Sequence, residues 1–320
     1  MDKRSRPSDA PPDGPPSRNL VGPLVPQIVA AGARKEKIRQ RPWKPAPSVS
    51  SPRPYAELRA ASAFSFLDGA SLPEDLVEEA ARRGIPAVAL VDTAGVPGAP
   101  RFYKAARAAG LRALVGAEVV LDAPRPVLTA TKQKTSSRSG SPQAEPARLT
   151  LLVENREGYR NLCRLVTAGA LGREKGQGFV TREQVAEHAA GLHVLSGGDE
   201  GPLARALSTK GLDAAAEELE KWRAIFPGRL HAELQRHGLR EEEHRNRAVA
   251  DLARRLELPL VATNGVRYAR RKDKELHDVF TSIRNHTNLD AAGRLLAAQR
   301  GRHFRGAEEM AALFADLPEA

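Results

Sequence analysis

From Tyr55 to Tyr268 short apolar runs alternate with helical segments, and this alternation constrains the fold more than any other feature of the chain. Pro73 to Gly84 reads as a helix, with Ser71 as N-cap, Glu74 and Asp75 in its first turn and Gly84 at its C-terminal stop. Ile85 to Asp92 follows as a continuous apolar run, the pattern of a strand covered on both faces. The same pairing recurs with a helix at Ala99–Gly110 and a strand at Leu111–Leu121. Further strands are expected at Leu149–Asn155, Gly191–Gly198, Leu230–Arg236 and Leu258–Gly265, with helices at Gly211–Pro227 and Glu241–Glu257 between the later ones. Strands separated by helices imply βαβ units and a parallel sheet. Six or seven units within about 215 residues predict a barrel rather than an open sheet.

Three stretches lie outside this rhythm. Residues 1–54 hold twelve of the 24 prolines and lack hydrophobic periodicity apart from Leu20 to Ala31, so a mostly disordered tail is expected over 1–53. Residues 131–148, rich in Ser, Lys and Pro, read as a disordered surface loop. Residues 269–320 read as helical and polar, without a strand. The net charge of +11 is concentrated at the N-terminus, where eleven Lys and Arg face Asp2, Asp9, Asp13 and Glu36. Arg34, Lys35, Lys37, Arg39, Arg41 and Lys44, around Trp43, form a candidate nucleic-acid-binding segment that would grip phosphates without reading sequence; a solvated tail is the alternative. No apolar run approaches the roughly 18 residues of a membrane span, and no secretory leader is visible. Cys163 is the single cysteine and excludes an internal disulfide. A soluble cytoplasmic protein is expected.

Several segments, taken in order, resemble the N-terminal PHP domain of bacterial error-prone C-family DNA polymerases, which are DNA polymerase III alpha-like. They are Tyr55–Ser71, Ala89–Val119, Leu151–Thr167, Ala232–Gly238 and Leu260–Ala269, followed by LHDVFTSIRNHTNLDAAGR and EEMAALFADLPEA. The resemblance implies an α/β fold, a distorted (β/α)7 PHP barrel over 54–268, with 269–320 as the start of a linker to a polymerase module. Active members of that family hold up to three metal ions at the C-terminal ends of the strands and hydrolyse phosphoesters.

The resemblance also assigns the metal positions. Where the family has His-x-His after the first strand, this chain has Arg59 and Ala61; after the second strand Asp92 is kept, but Thr93 and Ala94 follow. Glu118 matches the third-strand Glu, and His237 matches a mid-chain His. Gly265 and Arg267 stand at the late Asp-x-His. Arginine has no lone pair to donate and stays protonated. The expectation is therefore no bound metal, no catalytic residue and no phosphoesterase activity. Arg59 and Arg267 are expected to pair with Asp92 and Glu118, replacing cationic charge that buried carboxylates require; the alternative is four exposed, independent side chains.

Of the remaining candidates, Cys163 reads as core, His188 as a helix end and His193 as a strand residue. His231, His244, His277, His286 and His303 read as scattered surface side chains, and Gly197, Gly198 and Gly201 fall short of a dinucleotide fingerprint. The family's palm, with its three aspartates and Mg2+, would lie beyond the matched segments, and Asp278, Asp290 and Asp316 match the linker instead. The chain itself is expected to need no cofactor. Three functions follow: the structural PHP portion of a translesion polymerase in DNA replication and repair, a PHP-type metal-dependent phosphoesterase or exonuclease, or a stand-alone DNA- or protein-binding module. The implied partners are DNA, a palm-containing chain, a sliding clamp and translesion accessory proteins, and no membrane.

Overall fold

A computed structural model describes residues 55–121, 146–174, 176–297 and 300–320. The chain runs β1 Glu57–Ala60, α1 Pro73–Arg82, β2 Ala87–Thr93, α2 Ala99–Ala109 and β3 Arg112–Val120. It continues as β4 Arg148–Val153, α3 Arg156–Ala170, α4 Arg182–Glu187, β5 Leu192–Leu195, α5 Pro202–Lys210, α6 Leu212–Ile225, β6 Leu230–Leu234, α7 Arg240–Arg255 and β7 Leu260–Ala262. Short helices follow: α8 Lys274–Arg284, α9 Leu289–Ala292, α10 Arg294–Ala297 and α11 Ala307–Leu313. The basic segment Arg34 to Lys44 lies outside the described residues, as does most of the expected 131–148 loop.

The seven strands form one sheet in chain order. Its two edges meet where the Ala61 N–H donates to the Val266 carbonyl at 2.9 Å and the Val266 N–H donates to the Arg59 carbonyl at 2.8 Å, so the sheet curls into a barrel. The pairing is parallel throughout except at β4, which runs antiparallel to both β3 and β5. This corrects the expectation of an all-parallel sheet. β4 starts beside the end of β3, with Val120 opposite Arg148, so the chain returns on the side where it left and needs no crossover. Arg148, expected in the surface loop, is the first residue of that strand, and Ala147 before it is buried.

Ser71 does not cap α1. Its hydroxyl accepts the Ala269 N–H at 2.8 Å, and the helix instead starts with the Asp75 carboxylate accepting the Leu72 N–H at 3.2 Å. A carboxylate in the first turn reaches the orphan donor and also suits the helix dipole, which makes the hydroxyl dispensable there.

Alternate residues of β2 enter different cores, as strand pleating requires. Val88 and Leu90 pack under α1 and α2 with Leu76, Val77, Phe102 and Phe304. Ala89 and Val91 meet Leu152, Leu195, Leu58 and Leu114 on the face without helices, the inside of the barrel. The largest cluster joins β3–β6 to α3, α6 and α7 through Leu151, Leu162, Trp222, Phe226 and Val249, and it takes in Met310, Phe314 and Leu317. Residues 269–320, expected as the start of a linker, thus contribute side chains to two of the three cores. Tyr268 bridges to His303, and the Arg267 N–H donates to the Arg302 carbonyl at 2.8 Å.

Phe304→Ala is expected to cost about 3–5 kcal/mol of unfolding free energy in urea titration, because it empties a fully buried site. Phe66→Ala, at a side chain 85% exposed, should change it by less than about 0.5 kcal/mol.

Candidate functional site

Glu118 lies near the end of β3, on the inner face of the barrel, and is fully buried. Three guanidiniums converge on it. Arg59 donates Nε to Glu118 Oε1 at 3.0 Å and a second, shorter bond from Nη2 to the same oxygen; Arg148 reaches Oε2 at 3.4 Å and Arg267 at 3.5 Å. The cluster extends outward from there. Arg59 Nη1 lies 3.4 Å from Glu233, Arg148 and Arg267 both face Asp68 and Glu200, and Arg284 donates to Asp68 at 2.9 Å. Arg302 pairs with Asp199 at 3.1 Å. Five guanidiniums thus meet five carboxylates at one end of the barrel.

The electrostatics follow from this packing. Burial alone pushes the Glu118 carboxyl up, but Arg59, then Arg267 and Arg148, outweigh it and hold the group at about 2. Burial opposes ionisation of Asp68 likewise, yet Arg267, Arg148 and Arg284 keep it well below the usual carboxylate range. Glu57, one turn of the pleat below Arg59, has no guanidinium. Its oxygens accept from the Tyr55 hydroxyl at 2.7 Å, the Arg59 N–H at 2.9 Å and the Asn264 N–H at 3.0 Å, and burial raises it to about 7.

The sequence-assigned positions are partly brought together. Arg59, Arg267 and Glu118 meet; Asp92 does not join an arginine. Its carboxylate accepts instead from the Ser62 N–H at 2.7 Å, the Ser62 hydroxyl at 3.0 Å and the Ser65 hydroxyl at 2.9 Å. Burial raises the Asp92 pKa against those donors. The expected Asp92–arginine pair is thereby corrected: the loop after β1 folds back and supplies neutral donors before a guanidinium can reach. Ala61 is buried beside Ser62, while Thr93 and Ala94 sit at the end of β2, with the Thr93 hydroxyl 3.5 Å from Glu118 Oε2. Both nitrogens of His237 are engaged, Nδ1 with Glu242 at 2.6 Å and Nε2 with the Asn264 carbonyl at 2.8 Å. Burial and Arg302 push its pKa down, with Glu242 pulling the other way. At Gly265, φ is +55°, and an added Cβ would lie 2.7 Å from Gln235 Nε2 and 3.0 Å from Arg302 Nη1, so no larger residue fits without displacing them.

A divalent cation does not fit this donor set. The oxygens of Glu118 face three guanidiniums, the nitrogens of His237 are taken, and among the described residues no group of three or more His, Cys, Asp or Glu is arranged to hold a metal ion.

Sequence reasoning missed Asp68, Arg148, Glu200, Glu233, Arg284 and Arg302. Glu233 and Glu57 carried a readable signal, since each is a charged residue inside a short strand otherwise covered on both faces. The others come from loops or helices whose direction toward the mouth only the fold sets. Gly198 plays a packing role, not a nucleotide-binding one: a Cβ there would meet Gln235 Oε1 at 2.7 Å and Arg59 Nη1 at 3.1 Å. Three histidines expected at the surface are not there: His277 is fully buried against Tyr268, His231 is half-buried with its Nε2 3.0 Å from His193 Nδ1, and His303 is half-buried against the Tyr268 ring. Cys163, expected in the core, is half-buried between the buried Leu162 and Leu165.

A curled seven-stranded βα sheet with a polar cluster at one end defines a PHP-type barrel, and the PHP domain family matches residues 57–237. The chain belongs to that family. It is 38% identical over 99% of its length to the error-prone DNA polymerase of Mycolicibacterium paratuberculosis, and 36% identical over 83% to the DNA polymerase III subunit alpha of Pseudomonas aeruginosa. It spans 27% and 21% of those proteins, about a quarter of their length. A putative metal-dependent phosphoesterase from Bifidobacterium adolescentis aligns over 66% of this chain and 86% of its own, at 16% identity and a TM-score of 0.39.

Glu118→Gln is expected to destabilise the fold by roughly 3–5 kcal/mol, because it leaves buried guanidiniums short of counter-charge. Glu74→Gln, which loses only the exposed, solvent-screened pair with Arg101, should shift the same urea titration far less than Glu118→Gln does. Glu57 supplies a test of the opposite sign. Its folded pKa of about 7 lies above the ordinary carboxyl value of 4.5, so its contribution is complete below pH 4.5 and is lost as pH rises through 7. Thermal melts across this window should therefore show a downward slope in wild type that Glu57→Gln flattens.

Proposed function

We propose that this chain acts as a non-catalytic, structural PHP module of an error-prone C-family polymerase, within DNA replication and repair. The observation that carries the reading is the bond from Arg59 to Glu118, joined by Arg148 and Arg267. Fixed side-chain cations occupy the space where a phosphoesterase needs exchangeable ones, and a guanidinium can neither activate water by coordination nor open a site for a phosphate oxygen. The similarity to polymerases named error-prone DNA polymerase and DNA polymerase III subunit alpha supports the setting. In that setting the module's partners are DNA and the polymerase palm, and Mg2+ belongs to the palm. The charge network holds the barrel mouth closed, so the domain offers a rigid body against which other parts of such an enzyme pack.

Elemental analysis of the purified full chain should find no stoichiometric zinc, manganese or iron, and bis-p-nitrophenyl phosphate should be hydrolysed no faster than in buffer. Stoichiometric metal that Glu118→Gln abolishes, together with diesterase activity, would restore the hydrolase reading. Alone, the chain should also fail to extend a primed template.

A further inference from the structure

A second polar centre lies outside the charge network of the barrel mouth. The turn at 300–305 sends Arg302 inward to Asp199, while its neighbours His303 and Arg305 line a cavity of about 510 Å³ together with Tyr268, Arg271, Lys274 and Arg300. The cavity contains neither Glu118 nor Arg59, and of His237, which reaches its wall, both ring nitrogens are already bonded.

The charge balance here is the reverse of that in the mouth. Glu309 is the one carboxylate among the lining residues, and it is taken by Arg83 at 2.8 Å and by the Gly306 N–H at 2.9 Å. Lys274 is paired with Asp278 at 2.5 Å. Arg271, Arg300 and Arg305 have no carboxylate partner among the described residues. Arg305 is half-buried and donates only Nη1, to the Arg236 carbonyl at 3.1 Å. Gly301 makes room for it, since a Cβ there would lie 2.6 Å from Arg305 Nη2. His303 adds a ring nitrogen, Nδ1, that is buried and has no hydrogen-bond partner among the described residues. Burial pushes the Arg305 guanidinium down against the more distant pull of Glu309, and a half-buried guanidinium with no carboxylate at ion-pair distance, next to an unsatisfied imidazole nitrogen, is costly unless a ligand completes it. Guanidinium forks match the paired oxygens of a phosphate better than they match any neutral ligand.

We propose that this cavity binds a phosphate group, through Arg271, Arg300 and Arg305 at its rim and His303 in its wall. The phosphate belongs to a free nucleotide or to the backbone of single-stranded DNA. The site stands independently of the structural role assigned to the barrel mouth, because it uses none of the residues of that network.

The test uses the full chain at low salt with two probes, thymidine monophosphate in calorimetry and a fluorescein-labelled oligothymidylate in anisotropy. The variants are Arg271→Ala/Arg300→Ala, both at exposed side chains and expected to leave folding unchanged, and Arg305→Lys, which keeps the charge but removes the fork. Arg112→Ala, an exposed arginine at the start of β3, is the control. The double variant should weaken at least one probe by roughly tenfold or more, and Arg305→Lys should weaken the same probe while Arg112→Ala leaves it unchanged. Loss of monophosphate binding identifies a nucleotide site. Loss confined to the oligonucleotide, with a shallower dependence of log affinity on log salt, identifies a strand site. Either result supports the proposal. If both probes bind the double variant as tightly as the Arg112→Ala control, or if neither probe binds wild type, the proposal is overturned.

Discussion

The Glu118 carboxylate, fully buried and held by Arg59, Arg148 and Arg267, is the contact on which the rest of this barrel depends. A lone carboxylate at that depth would take up a proton or force water into the sheet. Three guanidiniums prevent both, and each brings a separate part of the chain with it: β1, the start of β4, and the segment past β7. The barrel is closed by backbone bonds between Arg59, Ala61 and Val266, immediately beside two of those arginines. Charge pairing and barrel closure are thus the same event in space.

The reversed strand β4 matters for that arrangement. The mouth collects the C-terminal ends of the parallel strands, and a parallel β4 would have delivered Val153 there. Running antiparallel, β4 delivers Arg148, its first residue. The turn at 300–305 contributes in a similar way, placing Arg302 against Asp199 and Gln235 while Phe304 enters the hydrophobic core beneath α1. The barrel and the helical segment after Tyr268 therefore share both an apolar and an ionic interface.

Much of this was legible in the residues. The apolar runs at Ile85–Asp92 and Leu111–Leu121 fall on β2 and β3, and the helices around them were readable from their acids, glycines and spacing. Arg59, Arg267 and Glu118 were identifiable as one group because the resemblance placed them at ligand positions of one pocket. The same resemblance implies that Asp92 joins that group, but its carboxylate accepts from Ser62 and Ser65 instead. Its partners, Ser62 and Ser65, lie in a loop whose path is set by backbone hydrogen bonds such as Gly69 to Ser65 and Ala70 to Arg267. Polar loop residues carry no periodicity, so no pattern announces which of them turn inward.

The sequence by itself determined the class of fold, since the period and order of apolar segments dictate which surfaces must be covered. The resemblance it carries also implies that arginine stands where the family's cation ligands would, and residue chemistry alone says that arginine cannot serve as one. Only the tertiary structure decided the direction of β4, the burial of His277, the partners of Asp92 and His237, and the convergence of Arg271, Arg300 and Arg305 on one cavity. These are relations between residues far apart in the chain. Long-range contacts and the burial they create set the energy of a charge, and neither is encoded in local pattern.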